Sequence, residues 1–124
     1  MPDPDTLGYH LRARRLKLGL LQKDVAQRIG TTEQTITNWE MTGHEPQIKY
    51  YPKIIEFLGF FPWEINASTL GGKIKKYRYM HGLTQSALAR RLGIDHGTLI
   101  DCEGNKTKPR RRILEKLEPV LVTA

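Results

Sequence analysis

A chain of 124 residues is long enough for one ordinary domain or two very small ones. Its net charge of +7 and pI near 9.7 point to a polyanionic partner; nucleic acid fits better than membrane, because no amphipathic segment gathers its basic residues on one polar face. Nothing reads as a signal peptide or a spanning helix, and the single cysteine, Cys102, makes no internal disulfide, so a cytoplasmic, reducing location with no membrane partner is expected.

Residues 1–5, MPDPD, read as a loose polar arm leading to an N-cap at Asp5 or Thr6. A first helix carries Leu7, Leu11 and Leu18 inward and Arg12, Arg14 and Lys17 outward, and ends at Gly19. From Gln22 to Glu40, QKDVAQRIGTTEQTITNWE, two short helices meet at Gly30. Val25, Ala26 and Ile29 make the inner face of one, Ile36 and Trp39 that of the other. Gly30 stands where a helix end calls for a left-handed residue, and Thr32 is suited to cap the next helix. The pattern is that of a helix-turn-helix, whose second helix projects its outer face into a DNA groove. After MTGHEP and IKYY, Pro52 opens a fourth helix running to Gly59, and residues 59–69 hold a short fifth helix or turn. Phe60, Phe61, Pro62 and Trp63 are too apolar for a free linker. Packing between the two halves of the chain is the favoured use for them, and a homodimer contact through Phe60, Phe61 and Trp63 the other.

An internal repeat organises the rest. A shift of 63 residues places Leu7 on Leu70, Arg15 on Arg78, Gln22 on Gln85, Ala26 on Ala89, Gly30 on Gly93, Glu40 on Glu103 and Pro46 on Pro109, with no gap between. The expected architecture is therefore all-α, two tandem small helical bundles, with a first unit and linker over 1–69 and a shorter second unit over 70–124. Charge divides unevenly: residues 70–121 hold 12 basic and 5 acidic side chains, residues 7–58 only 8 and 5. In the second copy the last helix should stop near Glu118, because proline disfavours helix in the residue before it; that copy would then lack a fifth element.

Leu7 to Gly59 resembles the phage repressor and Cro type of helix-turn-helix domain, the XRE family, through Gln22, Ala26, Gly30, Thr32, Ile36, Trp39-Glu40 and Pro46. The resemblance implies a lambda-repressor-like bundle, base reading by the outer face of the third helix, a phosphate contact at Gln22, and partly buried ion pairs joining Arg15 to Glu40 and Arg78 to Glu103. A Thr-, Gln- and Asn-rich helix standing alone would be read as an ordinary solvated face.

With Ile36 and Trp39 inward, the outward set is Thr32, Glu33, Gln34, Thr37 and Asn38, with Thr42 just beyond. Gln and Asn can each make two hydrogen bonds to adenine, and Glu can accept from cytosine. The second copy offers Asp95, His96, Gly97, Ile100 and Asp101, a poorer set with two acids and a glycine inside a short helix. Its flanks look suited to phosphate: Gln85, Asn105, Lys106, Lys108 and Arg110. Trp39 and Cys102 are expected in the cores. Enzymatic chemistry has little support, since His10, His44, His81 and His96 show no metal-ligand spacing and no nucleophile or phosphate-loop motif occurs; no metal or cofactor is expected.

The sequence thus points to a transcriptional regulator, a repressor, that binds double-stranded DNA. It would read the major groove with helix 33–40 and hold phosphates with the basic second repeat. The competing class is a protein-interaction module, such as an antitoxin or a partner-binding regulator, in which one or both units no longer bind DNA.

Overall fold

The computed structural model describes residues 6–123; the arm at 1–5, with the alternative cap at Asp5, lies outside them. The described residues form helices and turns with no strand, and the chain divides into two compact units between Trp63 and Glu64.

The first unit contains α1 (Leu7–Lys17), α2 (Gln22–Ile29), α3 (Glu33–Met41) and α4 (Tyr51–Leu58). Thr6 caps α1 by accepting from the Tyr9 N–H, and Thr32 caps α3 by accepting from the Thr35 N–H. Between them Gly30 ends α2 at φ 88°, and the N–H groups of Gly30 and Thr31 both bond the Ala26 carbonyl. That left-handed step lets eight helical residues turn into nine more without a longer loop. The buried set is Leu7, Leu11, Val25, Ala26, Ile29, Ile36, Trp39, Ile54, Phe57 and Leu58. Full burial of side chains such as Leu11 or Ile36 stabilises the unit by roughly 1.5–3 kcal/mol each.

Two expectations shift here, and a third resolves to one of its alternatives. Leu18, expected inward, caps the end of α1 and is 42% exposed, because the chain must leave the core there to reach α2. The fourth helix begins at Tyr51, led by a 3-10 turn over Ile48–Tyr50, with Pro52 in its first turn, where a missing N–H costs nothing. Residues 59–69 make turns and no helix. Their aromatics find partners inside the first unit: Trp63 stacks on Tyr51 with ring centres 4.2 Å apart, Phe61 meets Trp63 edge-on, and Phe60 meets His10 edge-on.

The second unit repeats the plan with α5 (Leu70–His81), α6 (Gln85–Leu92) and α7 (His96–Glu103), around Ile74, Leu88, Ala89, Ile94, Leu99 and Cys102. It then departs from expectation. Its last helix does not end the fold near Glu118: α8 (Arg111–Lys116) is followed by α9 (Glu118–Thr123). Pro119 lies in the first turn of α9, where proline is tolerated, and the break falls at Leu117. Leu117, at that break, and Val120, just beyond it, are fully buried and complete the core. The second copy therefore does have a closing element.

In both units the first helix touches the end of the third through backbone. A Cβ on Gly8 would lie 2.0 Å from the Trp39 carbonyl oxygen, and one on Gly71 would lie 2.1 Å from that of Glu103. Only glycine permits this approach.

Candidate nucleic-acid interface

Helix α3 is fixed from beneath by a buried polar bracket. Glu40, with no exposed surface, accepts from Arg15 Nε and from a second Arg15 nitrogen, each at 2.9 Å, while Arg15 also donates to the Leu20 carbonyl at 3.1 Å. The hydrogen bonds to Glu40 hold the Arg15 guanidinium above its ordinary pKa, with burial opposing them. Gln22, opening α2, donates to Glu40 Oε1 at 3.3 Å and accepts the Thr37 hydroxyl at 2.8 Å. One chain of hydrogen bonds thus joins α1, α2 and α3. Gln22 and Thr37, expected to face DNA, have their polar groups engaged with one another, leaving Gln22 the second hydrogen of its amide.

Outside the bracket lie Glu33 and Gln34, both exposed, and Asn38, half-buried, whose Oδ1 accepts from Gln34 at 3.0 Å. The two amides form a connected pair along the outer face. Thr32 acts as a cap, and Thr42 donates its hydroxyl to the Asn38 carbonyl at 2.6 Å.

The second unit builds the same bracket with one part missing. Arg78 Nε donates to Glu103 at 3.0 Å and Gln85 donates to the same carboxylate oxygen at 3.0 Å, but Ile100 replaces Thr37 and has no hydroxyl to give. Ile100 is 39% exposed. His96 is exposed, and Asp95 directs its carboxylate to the Thr98 N–H as the cap of α7, so one of the two acids serves the helix rather than facing phosphate freely.

Asn105 also takes a different role from the one expected. It adopts a left-handed backbone (φ 56°), its Oδ1 accepts the Gly71 N–H at 2.9 Å, and its Nδ2 lies 3.4 Å from Thr69 Oγ1. It ties the end of α7 to the start of α5, because the free N–H of α5 needs a partner. Lys106, Lys108 and Arg110 are exposed beside it. Sequence reasoning did not find this cap or the Gln22–Thr37 bond. The recurrence of Gln22 with Glu40 as Gln85 with Glu103 was a usable signal for the bracket; nothing comparable marked Asn105, because its first-unit counterpart is Thr42.

Two bundles, each holding the second helix of a helix-turn-helix on an Arg–Glu–Gln bracket, define the class: DNA-binding regulators of the helix-turn-helix type. The helix-turn-helix family model matches residues 11–63 and again 74–121, and the chain belongs to that family, in its XRE type. Over 45 residues the chain is 40% identical to an uncharacterized HTH-type transcriptional regulator of Methanocaldococcus jannaschii, a match covering 36% of this chain and 68% of that protein. No solved structure matches significantly. Among the described residues no helix is long and apolar enough to cross a membrane.

Proposed function

We propose that this chain is a sequence-specific repressor acting on double-stranded DNA in the cytoplasm, with its labour divided between the units. The first unit reads bases through Glu33, Gln34 and Asn38 on α3; Lys106, Lys108 and Arg110 of the second hold phosphates. The observation that carries this reading is the hydrogen-bonded amide pair of the exposed Gln34 and the half-buried Asn38 on a helix bracketed from below. A rigid base beneath donors and acceptors suits major-groove recognition, in which each good bidentate contact discriminates by about 1–3 kcal/mol. His96 and Gln85 flank the second reading helix and contribute secondarily. Their helix carries Gly97 and the exposed Ile100, so it offers fewer polar groups to base edges.

That same face supports a second reading, in which the second unit contacts a protein partner rather than DNA. A homodimer is a further possibility. It would use Phe60, which remains 47% exposed, more than Phe61 or Trp63, which pack within the first unit.

Selection of duplexes from a random pool, followed by titration of the selected site across a salt series, tests the proposal. One strongly specified half-site beside a weakly specified flank, with affinity falling steeply in salt, is the expected result. Two equally informative half-sites would defeat the division of labour, and no duplex binding would favour the partner reading.

A further inference from the structure

Beside α3 in the first unit lies a cleft of about 350 Å³, lined in part by Asn38, His44, Gln47, Lys49 and Tyr50. We infer that it is a clamp for a DNA phosphate whose grip requires a proton on His44. The inference rests on the reading of the first unit as the base-reading one.

The hydrogen bonds fix where the histidine protons are. Thr42 Oγ1 lies 2.6 Å from the Asn38 carbonyl oxygen, which can only accept, so the single hydroxyl hydrogen is directed there. His44 Nδ1 lies 2.5 Å from the same Oγ1 and must therefore be the donor. With Nδ1 carrying a hydrogen, Nε2 of the neutral ring presents a lone pair, which repels a phosphate oxygen. The imidazolium presents a second N–H and a positive charge, which bind one. His44 is exposed, so DNA can reach it.

Lys49 supplies the permanent charge. Its Nζ stands 5.0 Å from the centre of the Tyr50 ring, and Tyr50 meets the buried Trp39 edge-on at 5.4 Å, so the ammonium rests on a ring that the core positions. Among the groups lining the cleft, Glu45 is the one acid and Lys49 the one permanent cation. The α3 side contributes Thr35, Asn38 and Trp39, none of which titrates between roughly pH 5 and 8, where histidine changes charge. The 63-residue shift places His44 on Thr107, Glu45 on Lys108, Gln47 on Arg110 and Lys49 on Arg112. The second unit thus has fixed cations where the first has an ionisable ring. A proton-dependent phosphate contact at this position should belong to the first unit alone.

The test is fluorescence anisotropy of the full-length chain on its selected duplex, at fixed salt, from about pH 5 to pH 8. Wild-type affinity should fall as pH rises, by up to about tenfold per unit if one proton is taken up. His44→Asn should flatten the profile at the weaker, high-pH level, with its thermal melt unchanged. His81→Asn should leave the wild-type slope intact, and Lys49→Gln should weaken binding at every pH and lower the salt slope by about one. A flat wild-type profile, or a His44→Asn profile that keeps its slope, would overturn the clamp while leaving DNA recognition standing. A chain that binds no duplex at any pH would overturn the underlying reading and the clamp with it.

Discussion

Replacing Arg15 by methionine removes two of the three hydrogen bonds that hold the fully buried Glu40 carboxylate, leaving it the Gln22 amide at 3.3 Å. Stranding a buried charge in this way costs about 3–5 kcal/mol. Small domains have stabilities on the order of 5–15 kcal/mol, so the first unit should lose a large part of its own. At about 4–8 °C per kcal/mol for a domain of this size, its melting point should fall by at least about 12 °C. The double change Arg15→Met with Glu40→Leu should cost less than either single change, because no charge is left unpaired. Both tryptophans, Trp39 and Trp63, lie in the first unit, so their fluorescence follows that unit while circular dichroism follows both. Urea titrations of the full chain read by both signals make the comparison. A loss below about 1 kcal/mol for Arg15→Met would refute the reasoning, since it is what an exposed pair would give.

Changing Gln34 or Asn38 to alanine should cost about 1–3 kcal/mol on the selected site and little on random duplex, as measured by competition binding; equal losses on both would mean that neither reads bases. Lys106→Gln or Lys108→Gln should weaken binding to every sequence, and each should lower the slope of log affinity against log salt by about one; an unchanged slope removes that lysine from the interface. Cys102 is 1% exposed, and burial above all, with Asp101 adding, raises its thiol pKa while a hydrogen bond with Thr107 lowers it. The native thiol should therefore label slowly with alkylating reagents and rapidly after the second unit unfolds; fast native labelling would contradict its burial. Because the folded pKa is raised, the second unit keeps its full stability below the unfolded thiol pKa, near 8.5, and loses up to about 1.4 kcal/mol per pH unit above it. Cys102→Ala should remove that alkaline loss from the urea midpoint of the second unit, which dichroism follows.

The inner half of this molecule was legible from sequence because it depends on periodicity. Val25, Ala26, Ile29, Ile36 and Trp39 repeat at helical spacing, and burial follows from that spacing alone. The turn at Gly30 was legible because few residues tolerate its backbone. The α8–α9 break was not, because a proline reads equally as the end of one helix or the first turn of the next, and only the burial of Leu117 and Val120 decides between them. The polar side chains that tie the helices together were the least legible. Gln22, Thr37 and Asn105 are small donors and acceptors whose partners lie 15 or more residues away, and no local rule distinguishes a side chain facing solvent from one facing a neighbour.

The backbone contact at Gly8 separates two properties that usually change together. The tilt of α3 against α1 is set by main chain touching main chain at Trp39 and by the Arg15–Glu40 bracket, none of which involves Glu33, Gln34 or Asn38. Those three positions can therefore drift in evolution without re-aiming the helix that carries them. Because Gly71 makes a similar backbone contact, with the Glu103 carbonyl one residue further along than the first unit's, the second copy has the same freedom. One duplication supplied two independently mutable faces on one mount, which is how Gln34 and Asn38 in one copy can stand opposite Gly97 and Asp101 in the other within the same fold.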